Sequence, residues 1–455
     1  MNLWLAEQFE QYSESIAIAD QSGCYTYQDL LEQINNYTII LKKHIPGITT
    51  VAILSDFSHN SIALLLASIE LNLIIVPIIS NNEQEIKDKL SVSGVCYVLS
   101  LQDATLIINK TDINELADNT LYKKLTSQNH SGLILFSSGS TGKPKAMLHD
   151  LTILLDTYRS KYRQNKKNKN TSIIIFLLFD HIGGINTLFN VLSMGAKAVI
   201  SQHRDAQSIA QMIVQEKVKI LPASPTFLNL LLLGDVVNKY DLSSIRMITY
   251  GTETMPESLL KKIKSVFPKA KLLQTFGTSE TGIAQISSRS STSLDIKIND
   301  PNLQYKIIDG ELWLKSKTQI LGYLNAPMDS FTDDGWFCTG DLVEQNSDGY
   351  FKIVGRVKEV INVGGEKVLP AEIESVLLTI DGVDDCIAYG QTNAITGQTV
   401  VADIIKIDGI EDKTLKTNIR KECFKQLERF KLPTKINFVK QLQIGSRFKK
   451  MRIKN

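Results

Sequence analysis

The chain has 455 residues, of which 43% are hydrophobic and 22% charged, and its net charge is +2. That length exceeds one ordinary core, so two or more domains are expected, and so small a net charge gives no overall field to draw nucleic acid or an anionic membrane. The five cysteines (Cys24, Cys96, Cys338, Cys386 and Cys423) form no CxxC pair, so neither a zinc site nor a disulfide framework is expected.

The opening MNLWLAEQFEQ has no basic stretch followed by a long apolar core, so no secretory leader is expected. Ser61 to Ile79 is apolar, but Glu70, Asn72 and Pro77 interrupt it. A helix over Ser61 to Glu70 and a buried strand over Leu73 to Ile78 fit it better than a membrane span. Asn60 is a candidate cap for that helix. These features fit a cytoplasmic protein. Up to residue 130, strand-like runs such as TTVAIL, SGVCYVLS and ATLIIN alternate with helix-like runs such as YTYQDLLEQINNYTIILKK. Such alternation predicts an α/β fold with a largely parallel sheet.

SGLILF (Ser131 to Phe136) then ends abruptly in Ser-Ser-Gly-Ser-Thr-Gly. This reads as a buried strand feeding a small flexible loop. Ser137, Ser138, Ser140 and Thr141 offer hydroxyls. Gly139 and Gly142 let backbone N–H groups approach a ligand, and Lys143 and Lys145 add positive charge. Together they suit a polyphosphate. The spacing is not that of a Walker loop, which needs four residues between its glycines. Thr171 to Phe179 is a further buried strand delivering Asp180-His181-Ile182-Gly183-Gly184, and strand ends are where α/β sheets bind ligands. The plain structural readings are a capping or core histidine, and Asp180 as the cap of a helix starting near Ile185. IRMITY ends at Gly251-Thr252-Glu253, and LLQTFGTSETG follows. Asp309-Gly310 predicts a hairpin turn. The long run DDGWFCTGDLVEQNSDGYFKIVGRVKEVINVGGEKVLPAEIE precedes alternating helices and strands and a basic tail, GSRFKKMRIKN.

The loop resembles the phosphate-binding signature [ST]-[SG]-G-[ST]-T-G-x-P-K of the adenylate-forming enzymes: acyl-CoA synthetases, aryl ligases, luciferase-like enzymes and peptide-synthetase adenylation domains. The later motifs resemble the same family, in its order. The resemblance implies a large N-terminal domain of mostly parallel sheets with helices (1–355) and a small mobile α+β C-terminal domain (356–455). It implies ATP-dependent activation of a carboxylic acid as an acyl-adenylate, with Mg²⁺, and then transfer to the thiol of CoA or of a carrier-protein phosphopantetheine arm. Amino-acid adenylation for a carrier protein and amide ligation are alternatives, and a non-catalytic nucleotide-binding protein is a further one.

Residue by residue, the resemblance implies that the Ser137–Lys145 loop takes phosphates. The backbone of Gly251, Thr252 and Glu253 would line adenine. In Thr275-Phe276-Gly277-Thr278-Ser279, Phe276 would stack on adenine and Ser279 would touch phosphate. Glu280 would hold Mg²⁺ near the α-phosphate. Asp341 would take the ribose hydroxyls, and Arg356 ribose or phosphate. Lys358 would be the hinge between domains, and Gly364-Gly365 would meet the acceptor's arm. Phe-Asp-His-Ile-Gly-Gly matches two family patterns. In one, His181 walls the acyl group beside Gly183 and Gly184. In the other, Asp180 faces a substrate ammonium. Lys449 falls on the adenylation lysine, with Phe448 where the family has glycine, and Lys450 is its competitor. A plain solvated tail would also account for these basic residues.

Overall fold

The computed structural model describes residues 3–102, 105–113, 119–137, 144–164, 171–234, 236–443, 445 and 450–452, with backbone alone for 3 and 160–164. The chain divides into two compact units. One comprises Met1–Pro222, Gly277–Ile283 and Lys315–Phe337, and the other Ala223–Phe276, Ala284–Leu314 and Cys338–Asn455.

The first unit is α/β. One of its sheets runs Gly23–Thr26, Ile16–Asp20, Lys197–Val199, Ser172–Ile174, Ile220–Ala223, parallel throughout except for the first pair. Another runs Gly322–Tyr323, Lys145–Asp150, Gly132–Ser137, Ile74–Ile78, Thr50–Leu54, Tyr97–Gln102, Thr105–Lys110. Its central strands are parallel and its outer pairs antiparallel. The apolar run that ends in the loop is thus a buried interior strand, as such runs are in parallel sheets. The Ser61 region forms the helix His59–Glu70 and the strand Ile74–Ile78. Ser58, not Asn60, caps that helix, in a reciprocal pair with Ser61. Asn60 instead accepts from Gln33 and the Tyr37 hydroxyl, tying the helix to its neighbour Tyr27–His44. Among the described residues no helix is long and apolar enough to cross a membrane.

His149, on strand Lys145–Asp150, is fully buried, and among the described residues neither ring nitrogen has a hydrogen-bond partner. Burial pushes its pKa down to about 4. The unfolded chain therefore takes up this proton at higher pH than the folded one. Stability should fall as pH drops from about 6.5 to about 4, by about 3 kcal/mol for this group, and level off below. His149→Leu is expected to flatten that part of a pH series of denaturant unfolding curves; an unchanged slope would contradict the assignment.

In the second unit, Met247–Tyr250 and Lys271–Gln274 pair in parallel. A further sheet runs Ile286–Ser288, Ile296–Ile298, Phe351–Arg356, Phe337–Gln345, Glu311–Ser316, Leu303–Ile308. Asp309 and Gly310 turn between the last two with φ of 50° and 80°, the hairpin turn expected of that dipeptide. The remaining sheet joins Glu366–Val368, Ile361–Val363, Gly397–Lys406 and Val383–Asn393, with Lys435–Phe438 parallel to Gly397–Lys406. Helices Pro370–Leu377 and Asp412–Gln426 cover it through Ile373, Leu377, Leu415 and Ile419.

Candidate functional site

In the first unit the strand Gly132–Ser137 delivers Ser137 at its end, and Lys145 begins the returning strand. Ser138, Gly139, Ser140, Thr141, Gly142 and Lys143 lie outside the described residues. The exit of the loop is tied down by Asn325, whose side chain accepts from the Ala146 N–H and donates to the Pro144 carbonyl, both at 2.9 Å. Two residues earlier, the Tyr323 ring lies under the Lys145 ammonium, 4.8 Å from it, and its hydroxyl donates to Glu280 Oε1 at 3.2 Å. Burial and the Glu280 carboxylate both raise the Tyr323 pKa, so the phenol stays a donor. Thr278 and Thr281 bond each other beside Glu280, and the Ile320 N–H donates to the Glu280 carbonyl at 2.8 Å. Glu280 and Lys145 are therefore drawn toward one another through Tyr323, a residue sequence reasoning passed over. Ser279 is half-buried in the same turn, next to Glu280.

The strand before them is Ser172–Ile174, shorter than the expected Thr171–Phe179, so Asp180 and His181 follow an irregular stretch rather than the strand end, and both are buried. His181 itself caps the helix Ile182–Ser193: its Nδ1 accepts from the Gly183 N–H at 3.0 Å, which leaves Nε2 as the protonated nitrogen of a neutral ring. The helix thus starts earlier than Ile185, and the cap is the histidine rather than Asp180. Gly183 and Gly184 form its first turn. Asp180 faces Lys89, whose ammonium lies 3.8 Å from Oδ2. Lys89 is buried, bonds Glu85 at 2.7 Å and rests over the Phe136 ring. Asp56 supports the same loop, accepting from the Phe179 N–H and from Arg204, which in turn donates to the Phe176 carbonyl. Neither Lys89 nor Arg204 stands in a motif, and the sequence carries no local signal of either contact.

In the second unit the two parallel strands end side by side. The Thr275 N–H and hydroxyl both donate to the Tyr250 carbonyl. A Cβ on Gly251 would lie 2.3 Å from Thr275 Oγ1, so only glycine permits this approach. Thr252 follows with φ of 74°, a conformation costly for a β-branched residue. Such strain persists where the surroundings impose it, often at ligand sites. Glu253 is buried, its carboxylate accepting from the Thr226 N–H at 2.7 Å and from the Lys450 N–H at 3.4 Å. Burial raises its pKa, against the pull of those bonds. The Phe276 ring packs into the apolar cluster of Ala284, Ile296 and Ile298. Gly277 opens the turn described above for the first unit.

Asp341 is buried on strand Phe337–Gln345, opposite Arg356 in register, and Arg356 Nε reaches its Oδ1 at 2.9 Å. The pair sits side by side with Arg356 half-exposed, so a carboxylate and a guanidinium face one place. Lys358 is exposed in the short turn Val357–Glu359. Gly364 and Gly365, both left-handed, turn between Ile361–Val363 and Glu366–Val368, and the Gly364 N–H bonds the Thr396 carbonyl.

The basic tail is not simply solvated. Lys449 and Phe448 lie outside the described residues. Lys450 is buried, its ammonium 2.6 Å from Asp385 Oδ1 and 2.7 Å from the Cys386 carbonyl. Arg452 forks onto both oxygens of Glu374, at 3.0 and 2.8 Å. These side chains, with Pro225, Thr226, Asn229 and Glu253, line a narrow, partly open cleft.

Residues 5–324 match the family described as AMP-binding enzyme, and residues 372–449 match the AMP-binding enzyme C-terminal domain. Among curated proteins the chain is similar to "Indoleacetate--CoA ligase" of Aromatoleum aromaticum, 29% identical over 68% of this chain and 64% of that protein. It is also similar to "Acyl-CoA synthetase 7" of Caenorhabditis elegans, 27% identical over 72% of this chain and 65% of that one. The chain thus spans just under two thirds of the length of these relatives. Among solved structures, the anthranilate CoA ligase AuaEII in complex with anthranoyl-AMP superposes with a TM-score of 0.83 at 19% identity, covering 98% of this chain and 94% of that one. That likeness establishes a shared fold.

Proposed function

Because the chain belongs to the AMP-binding enzyme family, we propose that it activates a carboxylic acid with ATP and passes the acyl group to a thiol. The observation that carries this reading is the convergence of Glu280 and Lys145 on Tyr323, at the exit of a loop rich in hydroxyls, glycines and lysines. An acid set beside a phosphate-type loop suits a nucleoside triphosphate bound with a divalent cation.

In this reading the acid's oxygen attacks the α-phosphorus and the bond to the bridging oxygen breaks. Pyrophosphate leaves and the acyl-adenylate forms. Catalysis is placement and charge stabilisation, with little acid–base work. Among the described residues no cluster of three His, Cys, Asp or Glu could hold a metal alone. The donor set suits magnesium, which takes one or two protein carboxylates and completes its shell with phosphate oxygens and water. Glu280 would hold it, and its chemistry there is neutralisation of phosphate charge. Ser137 through Lys145, Thr141 included, would cradle the phosphates, with Ser279 beside them. Gly251, Thr252, Glu253, Thr275 and Phe276 would border the adenine. Asp341 would accept from the ribose hydroxyls beside Arg356, two acceptor oxygens suiting a vicinal diol. Lys449 would stabilise the charge at the α-phosphate. The thiol then attacks the acyl carbonyl and AMP leaves. Residues 1–355 and 356–455 would act as the two domains, turning about Lys358, with Gly364 and Gly365 along the thiol's approach.

We take the thiol to be CoA rather than a carrier-protein arm, since both relatives described above carry CoA-linked names. The acid is an aryl or aliphatic one. His181 is neutral and committed to its cap, and Asp180 already faces Lys89, which supports an uncharged acyl group beside them over an ammonium. CoA-thioester formation is tested by supplying free CoA against a phosphopantetheinylated carrier protein; acylation of the carrier alone would contradict it. Asp180→Asn is expected to leave the rank order of acids unchanged, and a loss confined to amino acids would assign Asp180 to an ammonium.

A further inference from the structure

The segment from Ile320 to Asn325 runs between two parts of the proposed nucleotide site in the first unit. At one end the Ile320 N–H bonds the Glu280 carbonyl. At the other, Gly322 and Tyr323 pair with Leu148 and Met147, the Leu324 N–H bonds the Ala146 carbonyl, and Asn325 holds Pro144 and Ala146. The backbone therefore fixes where the loop's exit lies relative to Glu280. It does not fix where the carboxylate or the lysine points. Tyr323 supplies both. Its hydroxyl bonds Glu280 Oε1 at 3.2 Å, its ring face lies 4.8 Å from Lys145 Nζ, and it is buried, so its own position is set by packing.

The geometry points to Tyr323 as a positioning residue for the metal-bound nucleotide, its hydroxyl aiming the Glu280 carboxylate and its ring seating the Lys145 ammonium. The inference rests on the reading of Glu280 as the carboxylate that shares a divalent cation with ATP. A phenol donating to one oxygen leaves the other to face the cation and stops the carboxylate turning away. A cation over an aromatic face keeps its outer side free to bond an anion. One ring thus sets the spacing between an acid and a base that meet the same polyphosphate. Tyr323 touches neither reactant in this account and acts through its two partners.

The test is calorimetric binding of ATP to the full chain, without any acid so that nothing turns over, in Mg²⁺ and in EDTA. The ratio of the two affinities reads the metal's contribution alone. Tyr323→Phe keeps the buried ring and the lysine seat and removes only the hydroxyl. It is expected to cut the Mg²⁺-dependent gain about tenfold, the effect of losing a hydrogen bond to a charged group, while affinity in EDTA is retained. Tyr323→Leu removes both and is expected to weaken binding in EDTA as well. A full Mg²⁺ gain in Tyr323→Phe, with the gain lost in Glu280→Gln, would overturn the inference and leave the reading of Glu280 standing. A full gain in Glu280→Gln would overturn that reading and the inference with it.

Discussion

Replacing Lys449 with alanine is expected to lower acid-dependent ATP–pyrophosphate exchange by about 10²–10³-fold, the usual cost of removing one group that stabilises charge developing at the reacting centre. Transfer to the thiol from a synthetic acyl-adenylate should survive, because that half-reaction no longer involves the α-phosphate charge. Lys450 is the control. Its ammonium is buried against Asp385 and the Cys386 carbonyl, and burial, which opposes the charge, is outweighed by Asp385 and Glu374, so its pKa is raised and it stays protonated. A lysine so engaged anchors the tail, and Lys450→Met should reduce stability more than it reduces exchange per folded molecule. Exchange that survives Lys449→Ala and is lost in folded Lys450→Met would move the adenylation role by one residue.

Arg452→Ala is expected to destabilise the protein by about 3–5 kcal/mol, because it breaks the ion pair of a buried carboxylate, Glu374. Glu374 is almost fully enclosed, and among the described residues it keeps only the Ala388 N–H as a donor once the guanidinium is gone. Burial pushes its pKa up, but the Arg452 and Lys450 charges hold it below the usual glutamate range. The sign follows. A carboxylate with a depressed folded pKa contributes stability above its unfolded pKa of about 4.3 and loses it as pH falls through the folded value. The acid limb of the stability profile should therefore become shallower in Arg452→Ala. Removing both partners in an Arg452→Leu, Glu374→Leu pair should recover part of the loss, since two apolar groups leave no orphaned charge. Denaturant unfolding of the two variants checks this, and a loss below about 1 kcal/mol in Arg452→Ala would place the pair among weak surface contacts.

What could be read from the sequence was local. The buried strand ending at Ser137 and the Asp309-Gly310 turn follow from periodicity and turn chemistry over a few residues, whereas the apolar run Thr171 to Phe179 holds strand only over Ser172–Ile174. The cap of the helix His59–Glu70 was misread because Ser58, Asn60 and Ser61 all carry capping side chains, and only backbone geometry picks Ser58. What the sequence hid was pairing across long separations. Tyr323 meets Glu280 across 43 residues, Arg452 meets Glu374 across 78, and Lys89 meets Asp180 only once the first unit folds. A basic cluster such as that of the tail looks solvated until acidic partners from Val383–Asn393 and Pro370–Leu377 close on it.

The most direct test of the central claim is pyrophosphate release from MgATP by the purified chain, without any thiol, across aryl, aliphatic and amino acids, with hydroxylamine trapping the acyl-adenylate as a hydroxamate. The account predicts stoichiometric pyrophosphate and hydroxamate with an aryl or aliphatic acid and neither product when the acid is left out. ATP binding with no pyrophosphate released for any acid in the panel would contradict it.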